Sequence, residues 1–328
     1  MQNIIVNENF HETIVLFNSK AKGGKGLKIW DYILKSNILQ EKYKIIIKTQ
    51  IDICKIESQA LKNMLINFIK DGFYKFIAVG GDGTVHSVVN ILFEFRAMKP
   101  LIGAIGVGSS NDFHKPNKDK IGSIPVRLNF DNAFYHDVGL VEFKDKKNFL
   151  LKEYFIVNAS IGFTANANYF FNKNSRINNF IKKNNTNLAI FCAILKNLFS
   201  YKPIQTILTY NGIKYISNEI INLGILKIPH FSGSFVYPKQ IKVNNGIFKI
   251  FYFNCKSKNI YKNKLHILQI MKDFLQNNIL NNPSLKEVNT DKIEIKTKNE
   301  TLLEIDGEVK KFTHSNFNII KESLLLCP

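Results

Sequence analysis

The segment Gly80-Gly81-Asp82-Gly83-Thr84 sets three glycines and one carboxylate directly after an apolar run, Phe76-Ile77-Ala78-Val79. A helix-like run follows, with Val85, Val88, Val89 and Leu92 on one face. A strand that ends in glycines and then opens a helix suits a polyphosphate. Glycine lets the backbone approach closely, and the N–H groups at a helix start attract anions. The Asp82 carboxylate can order Mg²⁺ or its water. The plainer alternative is a tight strand-to-helix turn in which Asp82 caps the helix. The pattern points to a nucleotide-using enzyme whose chemistry is phosphoryl transfer.

Two more loops have suitable composition. Asn18-Ser19-Lys20-Ala21-Lys22-Gly23-Gly24-Lys25-Gly26 is rich in glycine and lysine but lacks the Gly-Lys-Ser/Thr of a Walker A loop. By itself it also reads as a turn with solvated lysines. Gly106-Val107-Gly108-Ser109-Ser110-Asn111-Asp112-Phe113 offers small residues, a hydroxyl, an amide and a carboxylate for a second phosphate or ribose contact. Three such loops after successive strands are a stronger signal than one. Far along the chain lies Glu304-Ile305-Asp306-Gly307-Glu308, where Asp-Gly locally reads as a hairpin turn.

The elements that must position these loops alternate. Thr13–Phe17, Tyr43–Lys48, Phe76–Val79 and Leu101–Ile105 read as strands. Leu27–Leu39, Ile53–Lys70 and Val85–Phe95 read as helices, the second ending at Asp71-Gly72. This implies a parallel sheet with helices on both faces, and ligands beyond the carboxyl ends of its strands. Lys115–Gly122 reads as a linker, which gives an α/β domain over 1–125 and a second domain over 126–328, with the last residues able to return to the first. In the second domain short β-branched and aromatic runs between Asn-Gly and Gly-Ser turns predict a β-sandwich with inserted helices. Helix candidates are Asn187–Phe199 and Asn259–Leu275, and the Asn-rich stretch Phe171–Asn187 reads as a mobile surface loop.

The chain has 328 residues and a formal net charge of +19, carried mostly by lysine in a sequence also rich in Asn and Ile. Compositional bias accounts for part of this excess, and attraction to an anionic membrane surface is the leading functional alternative. No nucleic-acid motif is present, so nucleic acid is not an expected partner. Cys54, Cys192, Cys255 and Cys327 are too scattered for a zinc site or a disulfide framework, which fits a reducing cytoplasm. Met1–His11 lacks a signal-peptide core. The longest helix-like apolar run, Leu188–Phe199, falls short of the roughly 20 residues that span a bilayer. The expected location is therefore cytoplasmic, with peripheral membrane contact.

Taken together, the motifs resemble the diacylglycerol kinase catalytic family, which includes bacterial lipid kinases and sphingosine and ceramide kinases. The matching segments, in order, are Asn18 to Lys25, Gly80 to Thr84, Gly106 to Phe113, Asp137-Val138-Gly139, Asn158-Ala159-Ser160-Ile161-Gly162-Phe163 and Asp306-Gly307-Glu308. The resemblance implies a two-domain kinase with ATP in a cleft and a lipid hydroxyl entering from the second domain's side. It places ATP against Asn18, Lys20, Thr49, Gly80, Gly81, Asp82, Gly83, Thr84, Gly108, Ser109, Asn111 and Asp112. It places Mg²⁺ on Asp82, Asp112 and Asp137, directly or through water. Asp306 is the implied base, with Asp82 and Glu308 beside it in the catalytic set, and a homodimer is compatible.

The chain departs from the family at several positions. Ser19 replaces a proline, Lys22 a glycine, Gly106 a proline and Ser109 a threonine. Asn244-Asn245-Gly246 stands where several members hold a structural Mg²⁺ with Asp-Asp-Gly, so that accessory site is expected to be weak or absent. Phe163, Tyr169, Phe170, Phe171, Phe231 and Phe235 are candidates to line an apolar cavity, or else to fill the core. An NAD kinase-like enzyme shares Gly-Gly-Asp-Gly-Thr, but Ser-Asn-Asp-Phe and the missing downstream Asn-Glu pair weigh against it. A catalytically silent nucleotide- or lipid-binding module is the remaining alternative.

Overall fold

Ile14, Val15 and Leu16 are wholly buried, as are Phe76, Ile77 and Ala78. Strands covered on both faces belong in a parallel sheet between helices. The computed structural model describes residues 12–328 apart from 117, 146, 174–180, 182–185, 256 and 258. The chain forms two units, one of residues 12–136 with Ser323–Pro328, the other of Asp137–Glu322.

In the first unit the order is β1 (Glu12–Phe17), α1 (Lys25–Lys35), α2 (Ile38–Glu41), β2 (Ile46–Asp52), α3 (Ser58–Lys70), β3 (Lys75–Gly80), α4 (Asp82–Leu92), β4 (Leu101–Gly106), β5 (Asp119–Ile121) and β6 (Ile124–Arg127). Parallel pairing sets the order β2-β1-β3-β4. The chain leaves β1 toward one edge and β3 toward the other, so the order reverses between them. The loops leaving these two strands flank the crevice where such sheets bind ligands. α3 turns Leu61, Leu65 and Ile69 inward at helical spacing. Trp30 of α1 is buried on the sheet and donates to Gln50 Oε1 at 2.8 Å.

Three expectations are corrected here. The helix expected over 27–39 breaks because Asn37 takes a left-handed conformation (φ 53°) between α1 and α2. The second strand runs Ile46–Asp52 rather than 43–48, with Lys44 in a left-handed bend (φ 55°) before it. The second unit starts at Asp137 rather than 126, because β6 pairs with β4 and Phe130 packs into the first core.

The second unit contains β7 (Phe134–Lys144), β8 (Leu150–Phe155), β9 (Asn158–Gly162), α5 (Phe163–Asn172), α6 (Thr186–Ser200), β10 (Ile204–Tyr210), β11 (Ile213–Leu226), β12 (His230–Phe231), β13 (Phe235–Val236), β14 (Phe248–Asn254), α7 (Ile260–Leu275), β15 (Leu285–Thr290), β16 (Lys292–Ile305) and β17 (Glu308–Leu326). β7 begins, and β17 ends, in residues of the first unit. The long strands β11 and β16 hold β10 between their outer halves and β9 between their inner halves. β14 and β15 extend one side, and β17, β7 and β8 the other. This is one hydrogen-bonded antiparallel series, not the two separate sheets of the expected sandwich.

The series folds over on itself. Phe155 of β8 stacks on Phe248 of β14 at 5.6 Å between ring centroids, although the strands lie near opposite ends of the order. The same ring meets Phe317 edge-on at 6.1 Å. It also covers Gly139, where an added Cβ would lie 2.3 Å from the ring. A second core on the other side joins α5, α6 and α7 through Phe163, Leu198, Phe231, Ile267 and Phe274. The Asn-rich stretch 171–187 lies mostly outside the described residues, as does Met1–His11.

Truncating Phe155 would leave a void between the folded layers. Phe155→Ala is expected to lower the unfolding free energy by about 3–5 kcal/mol, measured by urea denaturation with β-sheet circular dichroism as the signal.

Candidate functional site

The three sequence loops are tied to one another in the first unit. Asn18, just after β1, donates its N–H to Val79 O at 2.9 Å and its side-chain amide to Thr84 Oγ1 at 3.1 Å. Its Oδ1 accepts from Lys20 N at 3.0 Å and from Cys54 Sγ at 2.9 Å. One amide thus links the first loop, the second loop and the turn after β2. Lys22, Gly23 and Gly24 all have positive φ (50°, 65° and 88°), which curls this loop onto the start of α1. At Lys22 the side chain pays the left-handed penalty of about 1–2 kcal/mol that a glycine avoids.

The second and third loops pack backbone on backbone. α4 begins at Asp82, with Gly81 as its N-cap. The first N–H groups of a helix have no partner inside it and carry its positive dipole end. Val107 N donates to Gly80 O at 2.9 Å, and Phe113 N to Asp82 Oδ1 at 3.0 Å. A Cβ on Gly108 would sit 2.3 Å from Gly81 Cα, so the contact requires glycine. Asn111, with φ 49°, accepts from Gly108 N at 3.0 Å and donates to Gly106 O at 3.1 Å. Asp112 is 4% exposed and pairs with Lys115 Nζ at 2.7 Å.

The structure therefore gathers Asn18, Lys20, Gly80 to Thr84, Gly108, Asn111 and Asp112, with Ser109 exposed at the tip of the third loop. Thr49 is not at a strand end as expected. It lies inside β2 opposite Ile14, because the strand continues to Asp52.

Asp52 and Arg127 are the residues that sequence reasoning missed. Asp52 Oδ1 accepts from Ser19 N at 3.3 Å and Cys54 N at 3.2 Å, bracing the first loop. Burial works to raise its pKa, but the bonds from Ser19 and Cys54 and the charge of Lys55 outweigh this and hold it below the ordinary aspartate value. The Asp-x-Cys spacing is an Asx-turn signal that points to it. Arg127 spreads its guanidinium 4.7 Å from the Phe113 ring centroid and donates to Lys115 O and Cys327 O. Burial lowers its pKa to about 10. No local pattern distinguishes it.

In the second unit, Asp306-Gly307 is the two-residue hairpin between β16 and β17, both residues at positive φ (46° and 91°) and Ile305 paired with Glu308. The turn reading and the functional motif are the same residues. Asp306 is buried. Its Oδ2 accepts from Ile156 N at 3.0 Å, and its Oδ1 from Val157 N at 2.9 Å and Asn158 N at 3.0 Å. Glu308 is exposed.

Glu304 is a further missed residue. Its carboxyl accepts from Ser160 Oγ at 2.7 Å, Gly307 N at 2.6 Å and Asn158 Nδ2 at 2.9 Å. Burial raises its pKa to about 7 with help from the Asp306 charge, against those three hydrogen bonds. Only the strand register, which sets Glu304 opposite Ser160, reveals this cluster.

Asp137 does not fit the metal role expected of it. Its carboxylate is fully buried, with Glu322 N on Oδ1 at 2.9 Å and Gly246 N and Lys227 Nζ on Oδ2 at 2.7 and 3.0 Å. The lysine ammonium, which also reaches Ile247 O at 3.2 Å, already supplies the compensating positive charge beside the Asn244-Asn245-Gly246 turn. Burial lowers the Lys227 pKa, and the bond to Asp137 opposes that shift. Among the described residues, no three His, Cys, Asp or Glu side chains form a metal-holding group.

A small apolar pocket of about 30 Å³ lies under α7, lined by Phe163, Phe231, Phe235, Ile267, Ile270 and Phe274, with Thr164 and Asn222 as polar members. Tyr169, Phe170 and Phe171 sit on α5 and are not among its lining residues.

The first unit is thus an α/β sheet with a parallel core whose glycine loops are packed together at its reversal point. Residues 12–121 match the family model described as the diacylglycerol kinase catalytic domain. A protein of Staphylococcus carnosus named "Putative lipid kinase" is 24% identical over 333 residues, covering 98% of both chains. Two solved structures described as a "putative diacylglycerol kinase" from Bacillus anthracis share the fold over 97% of both chains, with 17% identity and TM-scores of 0.66 and 0.63.

The Glu304 shift has a stability consequence with a definite sign. Below the ordinary glutamate value of 4.5 both folded and unfolded states are protonated, and the group contributes nothing. Between 4.5 and about 7 the unfolded state ionises first, so stability falls as pH rises. Glu304→Gln removes this loss. Relative to wild type, the variant should gain about 2–3 kcal/mol between pH 5 and pH 8, measured by urea unfolding at both pH values. A pH-independent difference would show that Glu304 ionises normally.

Proposed function

We propose that the chain is an ATP-dependent phosphotransferase that moves the γ-phosphoryl group to the hydroxyl of a lipid, of diacylglycerol-like or sphingoid-like type. The observation that carries this reading is the seating of the Gly80–Thr84 loop on the Gly106–Phe113 loop, Gly81 against Gly108 and Phe113 N on Asp82. It lies within the segment that matches the diacylglycerol kinase catalytic domain.

Phosphoryl transfer requires positioning and charge neutralisation more than covalent chemistry. The N–H groups of the glycine loops and the start of α4 receive phosphate oxygens, while Lys20, Lys22 and Lys25 add positive charge. Asp82 and Asp112 are the carboxylates that would hold magnesium, directly or through water, and the bound ion would neutralise phosphate charge. Asp137, spent on Lys227 and two backbone donors, is left out of that set.

Asp306 takes the proton of the acceptor hydroxyl. Its three backbone donors hold it in one orientation, so little reorganisation accompanies the transfer. Glu308, exposed on the same turn, orients the acceptor.

Incubation with labelled ATP, Mg²⁺ and a total lipid extract should yield a new lipid phosphomonoester, identified by mass spectrometry. Asp82→Asn should abolish the product. Asp306→Asn should lower kcat by about 10²- to 10⁴-fold in protein that still shows a native circular dichroism spectrum. If Asp306→Asn keeps its rate while Glu308→Gln loses it, the proton acceptor is Glu308. Phosphorylation of NAD with no lipid product would overturn the lipid acceptor altogether.

A further inference from the structure

Two helices of the second unit turn large apolar side chains to the outside. On α6, Phe191 is 56% exposed and Phe199 73%, with Leu188 and Leu195 at helical spacing on the same face. On α7, Tyr261 is 73% exposed and Leu265 66%. The helices meet where Lys264 Nζ donates to Phe199 O at 3.1 Å and lies over the Phe199 ring. The opposite faces of both helices are spent in the core, through Ala193 and Leu198 on α6 and Ile267, Ile270 and Phe274 on α7. A helix apolar on both faces belongs inside a protein or against lipid.

The charged side chains that these two helices expose have one sign. α6 contains no acidic residue and presents Lys196 outward. α7 presents Lys262 and Lys272, and its single acid, Asp273, is buried and bonded to Gln269 and Asn282. A second copy of the chain would bring the same positive charge against it. An anionic leaflet supplies both a medium for the aromatic and leucine side chains and counter-charges for the lysines.

We infer that the outer faces of α6 and α7 form a docking surface for an anionic lipid bilayer, with Phe191, Phe199 and Leu265 entering the interface and Lys196, Lys262 and Lys272 at headgroup level. The surface fits this partner whether or not the chain phosphorylates lipid. A rival apolar tip exists at the β7–β8 hairpin, where Phe149 and Leu150 are 63% and 62% exposed.

The test is co-sedimentation of the full chain with sucrose-loaded vesicles of phosphatidylcholine with phosphatidylglycerol, and of phosphatidylcholine alone. The wild type should bind the anionic vesicles and release from them in high salt. Phe199→Ser with Leu265→Ser should weaken binding on the order of a hundredfold. Lys262→Gln with Lys272→Gln should weaken it by about fivefold per lysine. Both variants alter exposed side chains and should keep the wild-type melting temperature. Phe149→Ser with Leu150→Ser should bind like wild type.

Equal binding by the Phe199/Leu265 variant overturns the assignment, as does wild-type binding no stronger to anionic than to neutral vesicles. So does a wild-type dimer, seen by sedimentation velocity, that dissociates in the same variant. That last result would make a second copy the occupant of this face.

Discussion

The contact of two glycine backbones, Gly81 on Gly108, sets the geometry of the first unit's loops. With a Cβ on Gly108 only 2.3 Å from Gly81 Cα, no side chain fits between them. The closeness lets Val107 N reach Gly80 O and Phe113 N reach Asp82. Two loops from neighbouring strands then behave as one surface, and Asn18 sews the third onto it through Thr84. The sheet order places this surface where the chain path reverses, so the N–H groups and the carboxylates are presented together before any ligand arrives.

A second regularity concerns the motif aspartates. Three of the four accept backbone N–H groups from a distant segment: Asp82 from Phe113, 31 residues away, Asp306 from Ile156, 150 away, and Asp137 from Glu322, 185 away. Hydrogen bonds to an ionised acceptor are the strong ones, and a buried carboxylate without them is costly. These residues therefore arrange the chain as well as offering negative charge. In Asp137 that arranging role has taken over completely, with Lys227 as its cation. Glu304 differs, since burial and a neighbouring aspartate make its ionisation unfavourable near neutral pH.

Much of this was legible from sequence because it depends on local chemistry. Glycine runs after apolar strands gave the three loops, and helical spacing placed 187–199 and 259–275 within two residues of α6 and α7. What escaped depends on partners remote in sequence. β2 is partly exposed along Ile46–Gln50, so no continuous apolar run fixed its bounds and the strand was read as starting and ending too early. The break at Asn37 carries a turn-forming residue inside an otherwise helical pattern. Lys227 looks like any of the many lysines until it is found buried against Asp137. Glu304 gains its meaning only from the Ser160 opposite it, and Arg127 only from the Phe113 ring it covers.

The first unit draws its last strand segment from the far end of the chain. Leu325 and Leu326 lie alongside Leu101 and Ile102, and Arg127 reaches Cys327 across 200 residues. On the ribosome, β4 therefore emerges long before the neighbour that completes its edge, and the whole second unit is made in between. The half of the protein that is synthesised first is finished last, and until then the Leu101–Ile102 end of β4, beyond its pairing with β6, presents an unpaired edge to the nascent chain and to other molecules.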